Sequence, residues 1–114
     1  MTAMPNTPRN VKLVKGWFSD SLPVFCEENS FDLAFLNIDC DIYSSTKEVL
    51  TILNKYGKLK PGLPIYFDEL INYQQAYDNE LLALFELLEK TGYGIDWLCC
   101  HENVRTISEA VALV

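Results

Sequence analysis

No apolar run in the 114 residues approaches the ~20 needed to cross a bilayer as a helix. The opening Met1-Thr2-Ala3-Met4-Pro5-Asn6-Thr7-Pro8 has neither the basic region nor the apolar core of a secretory signal. A cytoplasmic protein with no membrane partner is the expectation. Basic residues are scarce, nine Lys and Arg against sixteen Asp and Glu, a formal charge of −7. Binding to a phosphate backbone rests largely on Lys and Arg contacts, and no basic stripe is present, so nucleic acid is not an expected ligand. The four cysteines, Cys26, Cys40, Cys99 and Cys100, form no Cys-x-x-Cys pair and read as reduced, mostly buried thiols, with zinc a distant second reading despite the adjacent lone histidine, His101. The five glycines make no Gly-x-Gly-x-x-Gly, and Gly92-Tyr93-Gly94 follows a helical pattern instead of a strand, so no dinucleotide-type phosphate loop is present.

What the chain does have is an apolar content of 49% with 22% charged residues, the balance of a globular domain with a modest core. Residues 1–10, with Pro5 and Pro8 among polar neighbours, read as a flexible lead-in, and 11–114 as one domain. A first strand is expected over Val11–Phe18 and a short helix over Ser21–Glu28. Phe31–Ile38 is nearly continuous in apolar residues, as a central parallel strand buried on both faces would be. Ser45 and Glu48 have capping-box spacing, Val49, Leu50, Ile52, Leu53 and Tyr56 give a helix its apolar face, and Gly57 ends it. Leu59-Lys60-Pro61-Gly62 is a turn leading into a strand over Leu63–Phe67, which Pro64 can enter only at its start. A helix from about Asp78 to Thr91 stops at Gly92, and strands at Ile95–Cys100 and Ala110–Val114 complete the chain. Alternating strands and helices with two strands last define an α/β fold with a mainly parallel sheet and a C-terminal antiparallel strand pair.

Two acidic clusters stand out within this pattern. Asp39 and Asp41 close the Phe31–Ile38 run, and Asp68 and Glu69 close the strand one strand-helix-strand unit later. A helical crossover between parallel strands brings their carboxyl ends to one edge of the sheet, so the four acids can share a crevice. Mutual repulsion there calls for a cation, a proton or solvent, and an all-oxygen donor set suits magnesium, calcium or manganese. Either strand-end acid taken alone is explained equally well as a helix-dipole partner, worth about 0.3 to 1 kcal/mol. Two clusters at matching positions favour function. Ser44, Ser45 and Thr46 read as capping residues, Asp32 as a strand-start residue, and His101 as a turn residue without catalytic work. Tyr43, Tyr73 and Tyr77 either line a substrate mouth or cover the core rim.

Lys15-Gly16-Trp17-Phe18-Ser19-Asp20-Ser21-Leu22-Pro23, Leu36-Asn37-Ile38-Asp39-Cys40-Asp41-Ile42-Tyr43-Ser44-Ser45-Thr46, and Leu59-Lys60-Pro61-Gly62 running into Tyr66-Phe67-Asp68-Glu69 together resemble the macrocin O-methyltransferase family over about residues 11–114. That resemblance implies a class I, S-adenosylmethionine-dependent enzyme with a Rossmann-like sheet. It implies that Asp39, Asp68 and Glu69 hold Mg2+ or another divalent cation, and that Asp41 takes the proton from a hydroxyl on a small-molecule acceptor such as a sugar. The family commonly has two aspartates where this chain has Asp68 and Glu69. Gly16, Trp17 and Phe18, just past a strand end, become the candidate contacts to the cofactor's adenine. The Gly-rich loop and the acid that grip this cofactor in class I enzymes have no counterpart here. By the resemblance, the first two strand-helix units are absent and the chain corresponds to the C-terminal half of an enzyme. The edge of the Phe31–Ile38 strand is then left for a second copy, a partner chain carrying the N-terminal half, or Val11–Phe18 moving in beside it. Two other functions fit less of the pattern. Asp-x-Asp after an apolar strand also occurs in haloacid dehalogenase-type phosphatases, but Tyr43 departs from their motif and the lysines that follow, 55, 58 and 60, fall on helix and turn. A non-catalytic remnant or subunit that pairs with a partner is the alternative of another class.

Overall fold

A computed structural model describes residues 5–40, 42–71, 80–102 and 107–114, with side chains in these segments except at 68–71, 99–102 and 107–110. The elements in chain order are α1 (Phe18–Glu28), β1 (Leu36–Ile38), α2 (Tyr43–Lys55), β2 (Pro64–Ile71), α3 (Glu80–Thr91), β3 (Ile95–Glu102) and β4 (Ile107–Leu113). The four strands form one sheet in the order β1-β2-β4-β3. β1 and β2 pair in parallel, whereas β4 runs antiparallel to both β2 and β3. The sheet is therefore mixed, with one parallel and two antiparallel pairings, and the expectation of a mainly parallel sheet is corrected. The C-terminal antiparallel pair is present, and β4 inserts between β2 and β3.

Alternation along the strands decides which face is buried. Ile38, Ile65, Phe67, Val111 and Leu113 turn one face of the sheet into the core, where they meet Val49, Leu50 and Leu53 of α2, Leu81, Leu84 and Leu87 of α3, and Cys26 of α1. Withdrawal of each such side chain from water is worth roughly 1.5 to 3 kcal/mol. Asn37, Tyr66 and Ala112 occupy the opposite parity and are half-buried or exposed.

Turn chemistry follows the sequence closely. At the end of α2, Gly57 takes φ +69° while its N–H donates to the Asn54 carbonyl and the Lys58 N–H donates to the Leu53 carbonyl, the paired bonds of a Schellman motif. The Leu63 N–H donates to the Lys60 carbonyl at 3.1 Å around Pro61 and Gly62, whose φ of +95° is the positive torsion a type II turn requires. A Cβ at Gly57 would meet nothing within 4 Å, so the cost of Gly57→Ala is torsional alone, about 1 kcal/mol. Urea denaturation should read a loss of that size with an unchanged slope, and an unchanged midpoint would contradict the left-handed cap.

Other expectations are corrected. Residues 11–15 form no strand: Val11, Leu13 and Val14 are all exposed, no described strand lies beside them, and an unpaired strand has no partner for its backbone groups. Helix α1 instead begins at Phe18, with Trp17 as its N-cap. The run Phe31–Ile38 yields a strand only over Leu36–Ile38, and β1 lies at the sheet's edge, not at its middle. Phe31 and Phe35 are consequently more than half exposed. Helix α2 starts two residues before Ser45, with Ile42 as N-cap and no side-chain cap bond, so the Ser45/Glu48 capping box does not form. His101 lies in β3 rather than in a turn.

Candidate functional site

Parallel pairing matches Leu36 with Ile65, Asn37 with Tyr66 and Ile38 with Phe67. The next residues along the two strands are Asp39 and Asp68. Their main chains leave the register at the same end of the sheet, on neighbouring strands, whose usual spacing is about 4.8 Å. The Asp39 side chain is exposed. Asp41 lies outside the described residues, as do the side chains of Asp68 and Glu69 and the whole of Tyr73 and Tyr77. Among the described residues no three His, Cys, Asp or Glu side chains gather as a metal would need.

Between this strand end and α2 the connection is tight, the Ile42 N–H donating to the Cys40 carbonyl at 2.8 Å. Cys40 is half-buried and free. Burial raises its thiol pKa; the Thr46 hydroxyl beside it works in the opposite direction, and the Glu80 carboxylate adds to the rise. Thr46 and Glu80 are both fully withdrawn from solvent. The Thr46 hydroxyl makes no hydrogen bond of good geometry, although its main-chain N–H donates to Ile42. Sequence reasoning passed over Glu80. Its signal was there: Glu80, Leu84 and Leu87 recur at helical spacing on one face, so an acid occupies the buried stripe of α3.

A groove of about 380 Å³ opens along β1 between α1 and α2, lined mostly by apolar side chains, and it reaches from Phe18 on α1 to Asp39 and Cys40 past the end of β1. Phe18, expected to contact a cofactor, and Asp39, expected to hold a cation, thus share one cavity. Gly16 lies apart from it, in a groove with Lys12, Lys15 and Asp20. Trp17 is 80% exposed and belongs to no core. A third groove, between α2 and α3, includes Lys47 and Glu86, which form an ion pair at 3.0 Å.

That pair carries a pH consequence. The Tyr43 hydroxyl first and the Lys47 ammonium second hold the Glu86 carboxyl below the ordinary carboxylate range. At exposed Asp32 the Lys60 ammonium, 2.6 Å away, does the same. A folded-state pKa below the unfolded value gives stability that is present above the unfolded pKa and lost as pH falls through the folded one. Stability should therefore decline as pH drops below the ordinary carboxylate pKa, and Lys47→Met should flatten part of that slope. An identical acid limb in the variant would remove the Lys47 contribution from the account. The pairs are exposed, so the effect is small.

Of lysines 55, 58 and 60, two are committed elsewhere. Lys58 donates to the Asn29 and Phe31 carbonyls at 2.6 Å each, and Lys60 pairs with Asp32. Both precede the start of β2, at the opposite end of that strand from the acids. No helix among the described residues is long and apolar enough to cross a membrane.

The described elements define a small α/β domain, three helices packed with a mixed four-stranded sheet, with Asp39 and Asp68 following the ends of its parallel pair. The chain belongs to the macrocin-O-methyltransferase (TylF) family, whose sequence model matches residues 7–101. No curated protein and no solved structure matches.

Proposed function

We propose that the domain is the substrate and metal half of an S-adenosylmethionine-dependent O-methyltransferase acting on a hydroxyl, for instance of a sugar. The observation that carries this reading is the β1–β2 register, which brings the chain at Asp39 and Asp68 to one end of the sheet within a family of O-methyltransferases. The strand order, with β4 antiparallel between β2 and β3, is compatible with the C-terminal half of a Rossmann-like class I sheet. Exposed Phe31 and Phe35, on the run that leads into edge strand β1, support a continuation of the sheet there, by a second copy or a partner segment carrying the remaining strands.

An oxygen-only donor set of Asp39, Asp68 and Glu69 fits Mg2+ or Mn2+, and the buried, unbonded Thr46 hydroxyl behind Cys40 is a polar group that a hydrated cation site could satisfy. Glu69 reaches one methylene further than an aspartate, which changes its approach to a shared ion. Bound there, a divalent ion would hold the acceptor's hydroxyls and favour the alkoxide. Asp41 would accept the hydroxyl proton at its carboxylate. Phe18, from the groove it shares with Asp39, and the adjacent exposed Trp17 would contact the cofactor's adenine, whereas Gly16 faces a separate groove. The cofactor supplies an electrophilic methyl group for in-line displacement, whose rate depends on aim and partial deprotonation of the oxygen.

The Gly-rich loop that grips the cofactor's other end has no counterpart in residues 1–114. Calorimetry on these residues alone should therefore detect no micromolar affinity for S-adenosylmethionine. Tight, stoichiometric binding would overturn the division of labour proposed here.

A further inference from the structure

Two parts of the chain each lack what the other offers. Residues 11–14 form no strand, Val11, Leu13 and Val14 are exposed, and no described strand lies beside them. Strand β1 pairs with β2 on one side, its other edge faces no described strand, and Phe31 and Phe35 are exposed on the run that leads into it. Such an edge is a template for a further strand. The side-chain patterns agree. Val11-Lys12-Leu13 repeats the apolar-polar-apolar order of Leu36-Asn37-Ile38, so one register sets Val11 and Leu13 on the helix-covered face with Leu36 and Ile38, and Lys12 on the other face beside Asn37.

Charge points the same way. Residues 1–15 contain Arg9, Lys12 and Lys15 and none of the sixteen acids, whereas β1 is followed at once by Asp39 and Asp41 with no base among residues 36–42. Run antiparallel with Lys12 opposite Asn37, the segment brings Arg9 level with Cys40, between those two acids. Within one chain it does not reach that edge. The Val11 N–H turns back to the Pro8 carbonyl at 3.0 Å, and a groove of about 450 Å³ lies between the segment and α1. Only Gly16, at φ +135°, stands between Lys15 and Trp17, the N-cap that commits the chain to α1. The segment therefore leaves the domain as an arm, close to the groove that Phe18 shares with Leu36, Ile38 and Asp39.

A second copy completes both places at once, because a two-fold axis that lays one arm on the partner's β1 lays the partner's arm on the first. We infer that residues 9–15 are an exchange arm, which adds as an antiparallel strand to the β1 edge of a second copy of this chain, and that the protein dimerises through the two reciprocal arms. This gives the open edge of β1 to a second copy and does not depend on a cation in the crevice.

Sedimentation equilibrium on the full chain over a concentration series, with hydrogen exchange read at both ends of the series, is the test. A monomer–dimer equilibrium is expected, and amide protection at residues 11–14 and 36–38 should rise together with the dimer. Neighbouring N–H groups point to opposite edges of a strand, so one of Lys12→Pro and Leu13→Pro removes a bond to β1, and that variant should dimerise more weakly by about tenfold or more. The arm belongs to no described core, so the monomer's urea midpoint should stay where it is in both. Arg9→Glu should weaken dimerisation several-fold, and Arg9→Lys should keep most of it. A chain that stays monomeric while residues 36–38 exchange rapidly would overturn the inference and leave the edge to a chain of another sequence. A monomer with residues 36–38 protected at every concentration would overturn it by placing the arm on its own edge. A dimer that both proline variants leave intact would overturn it by showing that another surface associates.

Discussion

The double variant Asp39→Asn, Asp68→Asn should lose Mn2+ binding by about two orders of magnitude or more while its metal-free stability holds or rises. Even outer-shell partners of metal ligands typically cost 10- to 100-fold in affinity, so two ligands carrying formal charge sit at or beyond the upper end of that range. The sign on stability follows from electrostatics. Ile38 and Phe67 are paired in register, and the acids that follow them leave the sheet on adjacent strands, so in the metal-free protein their charges repel. Neutral amides relieve that repulsion. Water-proton relaxation gives the affinity and urea denaturation the stability. Equal Mn2+ binding by wild type and variant would remove these two acids as ligands. A marked loss of stability would show instead that they perform structural work, such as capping.

Lys58→Met should destabilise the domain by about 3 kcal/mol, an effect remote from the crevice. Lys58 is only 7% exposed, and its ammonium donates to the Asn29 and Phe31 carbonyls while lying 5.2 Å from the centre of the Phe31 ring. Methionine fills much of the volume but leaves two part-buried carbonyls without their donor, at about 1 to 3 kcal/mol each, less the gain from no longer burying a charge. The bonds tie the chain between α1 and β1 to the turn that leads into β2, so the loss should appear as a lower urea midpoint with Mn2+ affinity retained per folded molecule. A stability change below about 0.5 kcal/mol, the size of an ordinary surface substitution, would mean that the clamp contributes nothing.

How much of this was legible in sequence depends on whether the deciding interaction was local. Gly57 and the Pro61-Gly62 turn were, because a positive φ and a fixed proline torsion are properties of single residues, and both turns form where the sequence puts them. The apolar stripes of α2 and α3 were legible through their 3.6-residue spacing. Val11–Phe18 was misread because alternation promises a strand only if a neighbour exists to receive its backbone bonds, and here none of the described strands lies alongside. Phe31–Ile38 was misread for the same reason: its composition suits burial on both faces, yet β1 has a partner on one edge only, and Phe35 remains 55% exposed. Both errors concern pairing across the sheet, which composition does not encode. The matching positions of Asp39 and Asp68 were legible because parallel strands joined by a helix end on the same edge. Glu80 was overlooked because an acid at the head of a helix looks like an ordinary dipole partner until its position on the buried stripe is counted. Lys58 was dismissed as a turn lysine because its acceptors, the carbonyls of residues 29 and 31, lie far away in sequence.

Paramagnetic broadening of backbone amide signals by substoichiometric Mn2+ tests the central claim, that acids from two parallel strands serve one cation, more directly than any substitution. The account predicts that signals from residues 38–42 and 67–70 broaden together at the lowest Mn2+ additions, and that those of residues 57–64, at the other end of β2, stay sharp. Broadening confined to one of the two acidic segments, or spread evenly over the acidic surface, would contradict it.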